Sequence, residues 1–540
     1  MLGHEVDLTA ARRRIASAYD PQLFAEAGRI LVDSLHQHLQ SVEHSKARVL
    51  NWADPHANVA AAIDLARGGA EFERANSAVS TSGHHTPADP LASRFEELIQ
   101  TALQKGINLH DPRYVGHQVP APVPLAGLFD ALGAVTNQCM GVYEMGPWAT
   151  AVERAMVSEL GACLGWQEGA YAGIVTHGAS LANLTALLVA RNVTLGESWE
   201  HGLAPAEWSN PDSTGAPVEQ FGRDAGMARG KSPKLIVQAD AHYCIARSAG
   251  ILGMGTRNVV KAPLDDRRRL DPRQLETIIS ELQTAGHPIV AVAACASATP
   301  IGAFDPLEPI ADICEQHGVW LHVDAAHGGA ALLSRRHRHL VAGLERADSF
   351  TLDAHKMLFV PALCAFLFYK NRQHSFEAFR QNAPYLFDPS APDMRDYDSA
   401  LRTMECTKRA AALGLWGVWA LFGPQLFADL VDVTFDLGRA FYEQLRSAPD
   451  FVPLHEPECN IVVFRHVPAE LQGAPPERLS EFQWQLRRSV IESGEYYLVP
   501  TMSGGVAALR CTLINPLTTP EHLAQLLETL RRRGREILAR

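Results

Sequence analysis

The sequence has no Cys-x-x-Cys pair, no excess of positive charge and no long apolar run. Each absence removes a class of function. Nine scattered cysteines without framework spacing argue against a disulfide scaffold and point to a reducing compartment. A net charge of −12 offers no basic face for a nucleic-acid backbone or an anionic membrane. Two arginine triplets, Arg267-Arg268-Arg269 and Arg531-Arg532-Arg533, are too short to change that and read as solvated helix faces. No uninterrupted apolar stretch approaches the roughly 18 residues of a membrane span. The N-terminus, Met1 to Asp7, lacks the basic and apolar regions of a secretion signal. A cytoplasmic location is expected. Among 23 histidines, the dense stretch Arg335-Arg336-His337-Arg338-His339 has no acidic or cysteine neighbour at ligand spacing, so no metal site is expected.

What is present is an ordinary globular composition, 47% apolar and 20% charged, over 540 residues, enough for two or three domains. Residues 1–100 read as polar helices with little core of their own, separated by the polar stretch Ser77–Pro87 from a helix near Leu91–Lys105. From 101 to 430, apolar runs at Leu235–Ala239, Ile289–Ala293, Val319–Val323 and Leu363–Tyr369 alternate with helical segments such as Pro306–His317. That alternation predicts an α/β domain with a mostly parallel sheet covered on both faces. Residues 196–232, rich in Gly, Pro, Ser and Trp, read as a surface insertion. Helices at Thr407–Phe422 and Gln425–Ser447 lead into a smaller α+β domain over 431–540, with strands near Ile461–Phe464 and Ala507–Leu513 and helices at Arg478–Ser493 and Pro520–Leu538.

Four elements carry chemistry. His355-Lys356 stands among apolar residues, where burial is expected to lower the amine's pKa and free it to attack carbonyls. Asp324 ends the apolar run Trp320–Asp324 and needs a cationic partner or strong hydrogen bonds there. The stretch Gly173–Asn183 runs from a strand through a small-residue turn, Gly178-Ala179-Ser180, into a helix, a natural seat for phosphate. His242 follows a strand and could stack on a ring. Each has a plainer explanation when taken alone. Ser180 serves as a helix N-cap, His242 as a structural residue, Asp324 as a capping carboxylate and Lys356 as a surface amine. Together they supply the four needs of pyridoxal phosphate (PLP): phosphate seat, ring stacker, partner for the ring nitrogen and Schiff-base amine.

At this point the chain resembles the group II PLP-dependent amino-acid decarboxylases, the family of the glutamate, aromatic L-amino-acid and 2,4-diaminobutyrate enzymes. The likeness runs from Asp111–His117 to Leu509–Thr519, roughly three-quarters of the chain, and is most specific in Gly302–Asp312, His322–Ala326 and Asp353–Met357. It implies fold type I and a homodimer embraced by its N-terminal segments, with active sites shared between subunits. It also implies that Lys356 forms the Schiff base, Asp324 pairs the ring nitrogen and His242 stacks on the ring. By the same resemblance Ala179, Ser180 and His355 contact the phosphate, Thr299 and Ala326 line the ring, and His117 and Arg510 face the substrate. Three positions depart from the family's usual pattern: His177, His327 and Asp353-Ala354.

The reaction expected is decarboxylation of an L-amino acid. Asn382–Asp388 resembles the family's catalytic loop, and Tyr385 matches the tyrosine that returns a proton in decarboxylating members, where aldehyde synthases tend to carry phenylalanine. An aldehyde synthase or other carbon–carbon lyase is the alternative enzyme, and a silent homologue acting as an interaction protein the alternative of another class. The segment 111–150 leans toward substrates of the 2,4-diaminobutyrate or aromatic kind.

Overall fold

A computed structural model describes residues 8–45, 47–79, 90–196, 198–203, 231–379 and 395–540. Tyr385, most of the 196–232 insertion and most of the Ser77–Pro87 stretch lie outside the described residues.

In chain order the first strands are β1 (Cys139–Met140), β2 (Ala172–Thr176), β3 (Lys234–Gln238), β4 (Val259–Ala262), β5 (Ile289–Cys295), β6 (Leu321–Asp324) and β7 (Ser349–Asp353). Then come β8 (Ala365–Tyr369), β9 (Lys408–Arg409), β10 (Phe451–Pro453), β11 (Ile461–His466), β12 (Val499–Ser503) and β13 (Val506–Thr512). Contacts divide the chain into two compact units. One joins Met1–Val115 to Ser480–Leu498 and Leu517–Arg540, and the other holds Gly116–Leu479 and Val499–Pro516.

In the first unit the N-terminal segment is tied to chain from the far end of the sequence. Val49 N–H donates to Gly494 O at 2.8 Å, Tyr114 stacks on Tyr497 with ring centroids 5.4 Å apart, and Thr518 Oγ1 donates to Pro112 O at 2.6 Å.

The second unit is built on a seven-stranded sheet, ordered β2-β8-β7-β6-β5-β3-β4. The pairs from β4 to β7 are parallel, and β8 alone runs against its two neighbours. Most of these strands are wholly buried, as crossover helices on both faces require. A four-stranded antiparallel sheet, β10-β11-β13-β12, belongs to the same unit. The C-terminal ends of β2, β3, β5, β6 and β7 share one edge, and ligands of such sheets bind beyond that edge.

The helix Leu413–Ser447 is long and apolar enough to cross a membrane by length and composition alone. It is instead a core element. Gly423 (φ 72°, ψ 176°) breaks it just before Pro424, and Leu415, Val418, Phe427, Val431, Phe435 and Phe441 are buried in the protein. The break also explains why two helices are legible in the sequence. The first starts later than expected, at Leu413, because Lys408 and Arg409 form β9.

Lys408 is also half of a buried ion pair. Its Nζ lies 2.6 and 2.8 Å from the oxygens of Glu153 and donates to Val175 O at 2.7 Å, while Val175 N–H donates to Glu153 at 3.1 Å. The pair fixes β2 just before the small-residue turn. Glu153→Gln leaves the Lys408 charge uncompensated and is expected to cost about 3–5 kcal/mol in denaturant unfolding. Asp436→Asn, which breaks the exposed pair with Arg336, should barely move the transition in the same assay.

Candidate active site

The turn after β2 brings the chain into helix Ala179–Leu195. Gly178 sits at φ 100°, a conformation that strains any residue with a Cβ, and its carbonyl accepts from Leu181 and Ala182. The N–H groups of Ala179 and Ser180, in the first turn, therefore have no intrahelical acceptor. Beside them, His177 Nδ1 lies 2.8 Å from Glu405 Oε1, so this departure from the family pattern ties the turn to the chain ahead of β9.

Asp324 ends β6, 8% exposed. Its carboxylate accepts from Asn183 Nδ2 at 3.1 Å, Thr351 Oγ1 at 3.2 Å and Ala326 N–H at 3.2 Å. The sheet register explains this set. Asp324 pairs with Thr351 and His322 with Ser349, so alternate residues of β6 and β7 face the same side. Asn183, on the covering helix, meets them there. His322 Nε2 is 2.8 Å from Asn183 Oδ1, His322 Nδ1 is 2.9 Å from Ser349 Oγ, and Trp320 Nε1 donates to Ser349 Oγ at 3.0 Å. Burial pushes the His322 imidazole down to about 4, against the pull of Asp324.

Lys356 lies just past β7. Its Nζ is 3.0 Å from Asp353 Oδ2, and the Asp353 side chain is only 1% exposed. The sequence-based expectation of a lowered lysine pKa is overturned here. Burial does disfavour the charge, but Asp353 and Asp324 outweigh it and raise the pKa above the usual lysine value. Asp353-Ala354, noted as a departure, thus supplies a counter-ion three residues before the amine. His355 Nδ1 lies 2.8 Å from Cys364 O and is held against the start of β8. Ala326 is buried, and its carbonyl accepts from Asp353 N–H at 3.1 Å, joining the Asp324 and Lys356 loops.

His242 N-caps the helix Tyr243–Ile251, its Nδ1 accepting from Cys244 N–H at 3.3 Å. The structural role is therefore present, and it coexists with a place beside the site. Burial lowers the His242 pKa, with Asp324 pulling it up and Lys356 pushing it down, so all three share one electrostatic neighbourhood. The Cys244 thiol is pushed up to about 12 by burial and by Asp324. Thr299 is half-buried in the turn after β5. His117 is exposed on a segment whose Val123 N–H donates to Phe359 O at 2.8 Å, three residues past Lys356. Arg510 lies on β13, 8% exposed, with Nε and Nη2 buried and lacking a hydrogen-bond partner among the described residues. Burial lowers its pKa to about 10. His327 is buried with Nε2 2.8 Å from Asn460 Oδ1; burial drops its pKa to about 3, and the charges of Lys356 and Arg510 add to that.

The profile of the pyridoxal-dependent decarboxylase conserved domain matches residues 225–467. The acidic amino acid decarboxylase GADL1 of Mus musculus is 31% identical over 410 residues, covering 74% of this chain and 70% of that protein. The chain belongs to the pyridoxal-dependent decarboxylase family. The L-2,4-diaminobutyrate decarboxylase of Acinetobacter baumannii is 28% identical over 440 residues, 80% of this chain and 82% of that one. The crystal structure of mouse CSAD superposes with a TM-score of 0.78 at 26% identity, over 95% of this chain and 98% of the other.

The cofactor of this decarboxylase family is PLP, and the residues present fit it. A helix N-terminus behind a positive-φ glycine suits a phosphate, a buried carboxylate at a strand end suits a ring nitrogen, and an amine lies just past the end of the next strand. Sequence reasoning missed Asn183, His322, Ser349 and Thr351. The available signal was polar residues at every second position of apolar strands: His322 and Asp324 on one and Ser349, Thr351 and Asp353 on the other.

Proposed function

We propose that this decarboxylase removes CO2 from an L-amino acid, leaving the amine, with Lys356 as the residue that holds PLP. The observation that carries the residue assignment is the pairing of Lys356 with Asp353 beside Asp324, two carboxylates and one amine at the ligand-binding edge of the sheet. When bound, PLP supplies the electron sink for the carbanion left as CO2 departs.

The chain's own residues do the rest. Lys356 Nζ is the amine that would engage the cofactor aldehyde and later release the product. Ala179 and Ser180 would present N–H groups to the phosphate, Asp324 would pair with the ring nitrogen, and His242 would stack on the ring. Ala326 and Thr299 would line its remaining sides, and His355 would join Ala179 and Ser180 at the phosphate. Arg510, with two buried N–H groups to offer, suits a substrate carboxylate. His117 is a second substrate contact in this reading, and Tyr385 is the proton donor to Cα.

Relatives named for 2,4-diaminobutyrate and for acidic amino acids frame the substrate choice, and 2,4-diaminobutyrate or an aromatic amino acid is proposed. Incubating the holoenzyme with the common amino acids plus 2,4-diaminobutyrate should yield CO2 and amine in equal amounts with one of them. Hydrogen peroxide and aldehyde in place of amine would identify a synthase instead.

A homodimer is proposed as well. Leu125, Leu128, Leu132 and Val135 form an exposed apolar stripe on helix Pro124–Thr136, and Ile15 and Phe24 on the first two helices and Tyr19 between them are exposed. A second copy would cover such surfaces, and sedimentation of the protein as a monomer would count against it. All nine cysteines are free, which fits a cytoplasmic location.

A further inference from the structure

We propose that Trp320, Ser349, His322 and Asn183 form a one-way hydrogen-bond chain that turns the NH2 of Asn183 toward Asp324, making them positioning residues for the cofactor. The proposal rests on reading Asp324 as the partner of the ring nitrogen.

The direction of the chain follows from its ends. An indole N–H can only donate, and a carboxylate can only accept. Every group between them is ambivalent: a hydroxyl rotates, an imidazole has two tautomers, and a primary amide can flip. Trp320 donates to Ser349 Oγ at 3.0 Å, so the Ser349 proton is free to point at His322 Nδ1, 2.9 Å away. With Nδ1 accepting, the neutral imidazole carries its proton on Nε2 and donates to Asn183 Oδ1 at 2.8 Å. That leaves the Asn183 NH2 facing Asp324 Oδ2 at 3.1 Å. Reversed, the amide would set its own oxygen against the carboxylate. Thr351, 3.2 Å from both Asn183 Oδ1 and Asp324 Oδ1, can satisfy either but cannot set the direction, because it has one proton.

The contact residue is also an amide and not the imidazole. An amide does not titrate, so it gives Asp324 a hydrogen bond without competing for the positive charge that Asp324 is to hold. His322 is 0% exposed and Asn183 is 0% exposed, so no solvent replaces a lost donor.

The test is equilibrium dialysis of PLP against folded apoenzyme. Asp324→Asn should weaken binding; unchanged binding there would defeat the assignment of Asp324 itself. His322→Phe, which deletes the donor to Asn183, should weaken binding by roughly tenfold. His322→Gln, whose amide reaches the place of Nε2, should recover most of that. In the Asp324→Asn background His322→Phe should add less than about threefold, because it acts through Asp324. Full affinity in His322→Phe, no recovery in His322→Gln, or an equal loss in the Asp324→Asn background would overturn the chain while leaving Asp324 in place. If His322→Phe does not fold, Ser349→Ala serves, with weaker binding in the wild-type background alone as the expected result and unchanged binding as the refutation.

Discussion

Lys356→Ala is expected to lower turnover by roughly a thousandfold or more, and PLP bound to it should be removable by dialysis. Two consequences separate this loss from a general defect. The substitution removes the Lys356 cation that faces Asp353, whose side chain is 1% exposed, so the folded protein should also lose about 3–5 kcal/mol. Lys356→Arg keeps a cation near Asp353 but has no amine able to form the imine. It should therefore match the alanine variant in turnover and stay closer to wild type in unfolding. Borohydride reduction of the wild-type holoenzyme should tag the peptide that carries Lys356, and neither variant should be tagged there. Full turnover by Lys356→Ala, or a tag on another lysine, would defeat the assignment.

The residues legible in the sequence are those that stand at the ends of strands. Lys356, Asp324, His242 and the Gly178-Ala179-Ser180 turn interrupt apolar runs, and the polar group must answer to something. The large sheet was legible for the same reason, since its strands are continuous apolar runs. The support behind Asp324 was not. His322, Ser349 and Thr351 sit inside buried strands, where a single polar residue looks like noise until register pairs His322 with Ser349 and Asp324 with Thr351. Asn183 reaches them from a helix more than a hundred residues away in sequence.

The charge state of Lys356 shows a different limit. Apolar neighbours in the sequence suggest a depressed amine, and burial does act that way, but a turn folds Asp353 back to within 3.0 Å and reverses the sign. Compact units show a third. The contacts join Met1–Val115 to two segments beyond residue 479. Long-range association of that kind is set by which surfaces meet, which local pattern does not encode.

Asp324→Asn should carry the second large loss, a fall in turnover of about a hundredfold to ten-thousandfold. The substitution keeps the shape and removes two things. The first is acceptor capacity: Asn183 Nδ2, Thr351 Oγ1 and Ala326 N–H are all aimed at a carboxylate, and an amide nitrogen in place of one oxygen sets donor against donor. The second is charge. Asp324 raises the pKa of both Lys356 and His242, so its loss must lower both. The sign is directly measurable. The Lys356 amine of the apoenzyme should deprotonate at lower pH in the variant, so its acylation, followed by peptide mass spectrometry against pH, should rise earlier than in wild type. Asp324→Glu keeps the charge while displacing it, and should retain more of the wild-type acylation profile than of the wild-type turnover. Turnover within about threefold of wild type in Asp324→Asn, with an unmoved acylation profile, would mean that this carboxylate neither holds a ring nitrogen nor sets the charge of the lysine beside it.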